Sequence, residues 1–144
     1  MIYKFKINDL TFTKLKNWSK DKSLKHSKKL AGNIENEFHL TKYRKEFEPF
    51  ILETVHNIEP LRNYLYNELF ILSPNGLPLT LQDLWVNYQQ KHEFNPVHNH
   101  GGIFSFILFI QIPYTTEEQA AVSPGRNSNH DCAGKLSFIY LDSN

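Results

Sequence analysis

Apolar residues change their spacing as the chain proceeds. Between residues 43 and 72, Phe47, Phe50, Ile51, Val55, Ile58, Leu61, Leu65, Leu69 and Leu72 recur mostly at steps of three and four, the period of an amphipathic helix. Pro49 and Pro60 divide the run. Pro49 lies near a plausible first turn, where its missing N–H does no harm, but Pro60 would end or kink an interior turn, so the pattern predicts two helices or one bent one. Ser73-Pro74-Asn75-Gly76 is a strong stop. Elsewhere the period is two. Residues 1–7 alternate as a half-buried strand does, and residues 81–90, 103–112 and 135–141 read as strands. Asn8 or Asp9 is placed to cap a short helix running through Trp18, residues 19–32 read as a loop or arm, and residues 33–40 as a short extended segment. Residues 114–133 form a long turn-rich loop with room for one helical turn. Helices first and an antiparallel sheet later predict an α+β fold with the helices on one face of the sheet, in a single domain covering residues 1–144.

Within the strand at 103–112, Phe104, Phe106, Leu108, Ile110 and Ile112 make one wholly apolar face, which is expected to be core. The opposite face carries Ile103, Ser105, Ile107, Phe109 and Gln111. That mixture suits either the wall of a small-molecule cavity or an edge meeting water. The connection before it ends in His98-Asn99-His100. Two histidines one residue apart on extended backbone leave the same face, so both imidazoles can converge on one metal ion. Asn95-Pro96 extends the backbone entering the pair, and Gly101-Gly102 permits a sharp exit. A stable transition-metal site needs a third ligand, for which His130 beside Asp131 is the best candidate; His26, His39, His56 and His92 lack ligand spacing and read as surface residues. Tyr88 lies ten residues before His98, close enough in a hairpin-like return for its hydroxyl to reach the site, or simply to pack with that hydroxyl at the rim.

Composition narrows the classes. A length of 144 residues with 40% hydrophobic and 14% aromatic residues suits one soluble domain. A formal net charge of +1 disfavours nucleic acid or an anionic membrane as the main partner. Lys14, Lys16, Lys20, Lys22, Lys25, Lys28 and Lys29 are opposed only by Asp21, and read as a solvated face rather than a phosphate-binding arm. Cys132 is the sole cysteine, so no internal disulfide forms; with no basic-then-apolar leader, a cytoplasmic protein is expected. The longest apolar run, 103–110, is too short to span a bilayer. Nucleophile elbows and phosphate-cradling glycine loops are absent from the sequence.

The run WVNYQQKHEFNPVHNHGGIFSFILFIQIPY, with KLAGNIENEF upstream, resembles the 2-oxoglutarate and Fe(II)-dependent oxygenase-like proteins of marine phages and related environmental sequences, over roughly residues 28–142. The resemblance implies a partial double-stranded β-helix, a jelly-roll or cupin-like barrel, with a mainly helical part at 1–79 and the first half of the barrel at 80–144. It implies Fe(II) and 2-oxoglutarate as cofactors, and hydroxylation coupled to 2-oxoglutarate decarboxylation. His98 falls on the first metal ligand. His100 falls where the family usually has a carboxylate, a departure that removes one negative charge from the metal shell and weakens Fe(II) binding without abolishing it. Tyr88 falls where related hydroxylases contact 2-oxoglutarate, and Tyr88 and Ser105 are the candidates for holding the co-substrate. The distal histidine and the basic residue that pairs with the co-substrate have no counterparts before Asn144. The chain therefore reads as a truncated, catalytically incomplete relative whose open sheet edge would favour a homodimer through strand pairing or swapping. The competing expectation is a non-catalytic binding or structural module that self-associates, with the histidine pair a relic.

Overall fold

The computed structural model describes residues 2–25, 31–69, 79–123, 125–129 and 134–138. The chain divides into two compact units, Met1–Phe106 and Ile107–Asn144.

In the first unit, α1 (Asp9–Trp18) starts where its cap chemistry dictates: the Asn8 side chain accepts from Thr11 N at 2.8 Å, and Asp9 in the first turn complements the helix dipole. Leu15 and Trp18, three apart, form its buried stripe. Trp18 stacks on Tyr43 with centroids 5.0 Å apart and meets Phe47 edge-on at 6.1 Å. A 3-10 turn at Thr41–Tyr43 leads into α2 (Arg44–Asn57), which is followed by α3 (Glu59–Asn67). The break falls at Ile58, whose extended backbone leaves Pro60 inside the first turn of α3, where no helical N–H is needed. Two helices form, as the proline spacing predicts. Pro49, however, is the sixth residue of α2 rather than a first-turn residue, because the helix begins at Arg44; the helix runs through it with the Lys45 carbonyl denied its usual N–H.

The sheet consists of β1 (Glu37–His39) and β2 (Trp85–Asn87), antiparallel with Glu37 opposite Asn87, Phe38 opposite Val86 and His39 opposite Trp85. Isolated bridges extend it: Lys25 meets Phe38, and Asn33 meets Phe94. The core lies between sheet and helices and is built from Leu15, Trp18, Ile34, Phe38, Leu40, Phe47, Val55, Leu65, Leu81 and Leu84. Polar ties close it. Glu48 accepts from Leu81 N at 2.7 Å, and Arg44 donates to the Gln82 carbonyl at 2.8 Å.

The architecture corrects the barrel expectation. Among the described residues the fold is mostly helical with two three-residue strands in one sheet, not a double-stranded β-helix or any half of one. Residues 2–7 form no strand, and the expected strand at 81–90 contracts to Trp85–Asn87. At 103–110 burial does alternate, with Phe104, Phe106, Leu108 and Ile110 half-buried and their neighbours exposed, so the pleat is present. Yet no backbone hydrogen bond joins residues 103–113 to another described residue. Residues 135–138 are likewise outside any strand, and 139–141 lie outside the described residues. The physical reason is that a helix satisfies its backbone within the segment, whereas a strand exists only if a neighbour arrives in register.

In the second unit, α4 (Thr116–Val122) starts with a reciprocal capping box: Thr115 Oγ1 accepts from Glu118 N at 3.2 Å, and the Glu118 carboxylate accepts from Thr115 N at 2.7 Å. This is the helical turn expected in the 114–133 loop. Gly134, at φ +64°, is held against Tyr114 and Gln119; a Cβ there would approach Gln119 Cγ to 2.9 Å.

Candidate metal centre

The segment leaving β2 is shaped by a wide bulge. Between the Glu37–Asn87 pair and the Asn33–Phe94 bridge, one strand advances four residues and the other seven. The additional residues form a turn at Lys91-His92, with His92 at φ +71°. Glu93 holds the bulge: its two carboxylate oxygens accept from Glu35 N at 2.8 Å and Gln90 N at 2.7 Å. Those two N–H donors lower its pKa. Asn33 N donates to the Phe94 carbonyl at 2.8 Å, which anchors the strand just before Asn95-Pro96 and the histidines.

His98 and His100 emerge from this anchor on the same side. Their rings lie 4.7 Å apart between centroids, and His98 Nε2 is 2.9 Å from His100 Nε2. His98 Nδ1–H donates to the Pro96 carbonyl at 2.7 Å, which leaves the Nε2 lone pair facing its neighbour. Two imidazole nitrogens bound cis to one metal at about 2.0–2.1 Å would be about 2.9 Å apart. Without metal the same separation is that of an imidazole–imidazole hydrogen bond. The backbone carbonyl on Nδ1 is the outer-shell partner that ligating histidines characteristically have. Both side chains are exposed.

Among the described residues, no three His, Cys, Asp or Glu side chains converge as a metal cluster. His130 and Asp131, the expected third-ligand source, lie outside the described residues, as do Cys132, His26, Lys28 and Lys29. Tyr88 is placed on other business: its hydroxyl donates to the Ser19 carbonyl at the C-terminus of α1, its ring meets Phe38 edge-on, and the Lys22 ammonium sits 4.5 Å above it. Ser105 is exposed. His39, expected at the surface, is half-buried on β1 with Nδ1 3.5 Å from Asp83. A shallow depression of about 360 Å³ beside α3, lined by Glu59, Pro60, Asn63, Tyr64, Asn67 and Glu68, contains none of the candidate residues.

One group had no sequence signal. Glu37, on β1 beside buried Phe38, is fully inaccessible, with neither carboxylate oxygen hydrogen-bonded to a described residue. Burial, and secondarily the charge of Glu93, push its pKa up. Alternation alone places Glu37 on the face opposite Phe38, which in a two-stranded sheet is expected to meet water.

No family model, curated protein or solved structure matches the chain. No helix among the described residues is long and apolar enough to cross a membrane.

Proposed function

We propose that His98 and His100 form half of a transition-metal site. The observation that supports this is the 2.9 Å approach of the two Nε2 atoms, with the His98 tautomer set by Pro96. The oxygenase-like resemblance nominates Fe(II) as the metal and 2-oxoglutarate as the co-substrate, and the single cysteine favours a cytoplasmic setting. A metal there would supply Lewis acidity and open coordination positions. Two neutral imidazoles also accept Zn, Ni or Cu, so donor type alone does not select iron. The geometry gives no separate support for co-substrate binding by Tyr88, whose hydroxyl proton is committed to Ser19.

Anaerobic titration with Fe(II), with and without 2-oxoglutarate, against a His98→Ala, His100→Ala double variant tests this reading. Saturable binding that the double variant loses is expected, and enhancement by 2-oxoglutarate would extend it to the oxygenase class. Equal behaviour of the two proteins overturns it.

A second reading, self-association, draws on Ile103, Ile107 and Phe109, which are 45%, 51% and 60% exposed on backbone that lacks a described partner. A second copy pairing with this segment would cover both the apolar side chains and the N–H and C=O groups that have no partner among the described residues. Sedimentation of the native chain against Ile107→Lys tests it: a native dimer that the charge converts to monomer is expected, and a native monomer at high micromolar concentration overturns it.

A further inference from the structure

The second donor cluster of the molecule lies inside the bulge rather than on its tip. Glu37 is 0% exposed, and neither oxygen has a hydrogen-bond partner among the described residues. A Cβ built on Gly32 would stand 3.3 Å from Glu37 Oε1 and 2.3 Å from Asn95 Oδ1. Glu37 Oε1 and Asn95 Oδ1 therefore both lie against Gly32, and Asn95 can approach this closely because residue 32 has no side chain. Glu93 adds a second carboxylate whose charge is felt at Glu37, and each of its oxygens retains a lone pair beyond the one N–H it accepts. The oxygens offered here come from a carboxylate, an amide and a further carboxylate. No donor reaches either Glu37 oxygen among the described residues, and a buried carboxylate without a donor is stabilised when a positive charge joins it.

We propose that Glu37, Asn95 and Glu93 form a binding site for a hard divalent cation of the calcium class. The donors are all oxygen, which excludes a soft-metal preference. Glu37 is buried, Glu93 half-buried and Asn95 exposed, so the donors form an irregular set open to water on one side. That favours Ca²⁺, which accepts irregular protein ligands, over Mg²⁺, which sheds its water reluctantly. Two carboxylates balance its charge, and the Asn33–Phe94 bridge and Glu93's own N–H contacts hold the ligand-bearing strands before the ion arrives. The site is separate from the histidine pair: its donors are of another class and come from other residues. It does not depend on the histidine reading.

The test is thermal unfolding of the full chain, stripped with chelator and titrated with Ca²⁺, Mn²⁺ and Mg²⁺ separately. The native protein, Glu37→Gln, and the His98→Ala, His100→Ala double variant are compared. A saturable rise in Tm with Ca²⁺ is expected in the native protein and in the double-histidine variant, with a smaller response to Mg²⁺ and none in Glu37→Gln. No saturable rise in the native protein, or an equal rise in Glu37→Gln, overturns the site. Should Glu37→Gln fail to fold, Asn95→Ala decides by calcium titration: at least a tenfold loss of affinity supports the site, and an unchanged affinity overturns it.

Discussion

His98 and His100 stand exposed, with their ring nitrogens engaged by each other and by Pro96, whereas Glu37 lies wholly buried with both oxygens unengaged among the described residues. The two clusters sit on neighbouring parts of one bulged ribbon yet pose opposite problems. An exposed imidazole pair loses little if no metal comes, because water and a mutual hydrogen bond satisfy it. A buried carboxylate without a donor destabilises the fold until a proton or a cation neutralises it. Metal binding at the histidines is thus expected to leave stability nearly unchanged, while neutralisation at Glu37 is expected to raise it.

The sharpest way to break that contrast is to remove ligands from the exposed pair. His98→Ala alone is expected to lower transition-metal affinity by at least roughly tenfold, as loss of a chelating partner does, with Tm in metal-free buffer unchanged. Calorimetric titration reads the first and scanning fluorimetry the second; a fall in Tm would mean that the pair is structural. Next in size is Glu37→Gln in cation-free buffer. The fold holds this carboxyl above its ordinary value of 4.5, so the folded state favours the protonated form. Its contribution is greatest below pH 4.5 and is lost as pH rises through the raised value. The uncharged variant should therefore be the more stable protein at neutral pH and lose its advantage as pH falls to 4.5. Relief of roughly 1–3 kcal/mol of desolvation would raise Tm by about 2–4 °C per kcal/mol. A variant less stable at every pH would show that Glu37 has a donor.

Tyr88→Phe sharpens the contrast from the side of the scaffold. It removes the hydrogen bond that ties β2 to the end of α1, for an expected loss of about 1 kcal/mol with metal affinity intact. If affinity for 2-oxoglutarate fell while stability held, the co-substrate role would be restored to this tyrosine. The smallest effect is expected at Asp21. Hydrogen bonds from Lys42 and then Ser23 hold its carboxyl well below the usual range, so its contribution is present above pH 3.8 and disappears as pH falls below that. Acid unfolding of Asp21→Asn should lose part of the native protein's steepness below pH 4, and added salt should shrink the difference.

The helices were legible because their signals are local. Asn8 capping α1, the three- and four-residue spacing across α2 and α3, and the break before Pro60 each act over a single turn. The histidine pair was legible for the same reason, since two residues one apart on extended backbone share a face wherever that backbone goes. The strands were not. Alternation at 103–110 gives the pleat but no ladder among the described residues, and the barrel that the resemblance implies is contradicted by a sheet of two short strands.

Sequence by itself determined where this chain turns helical, where those helices stop and which two imidazoles point together, because each follows from the sterics and hydrogen bonding of residues a few positions apart. Only the tertiary structure decided which extended segments found partners, that Tyr88 binds Ser19 across sixty-nine positions, and that Glu37 is buried beside Gly32, Glu93 and Asn95. Pairing and burial depend on what arrives from distant parts of the chain, and a period of two carries no record of that arrival.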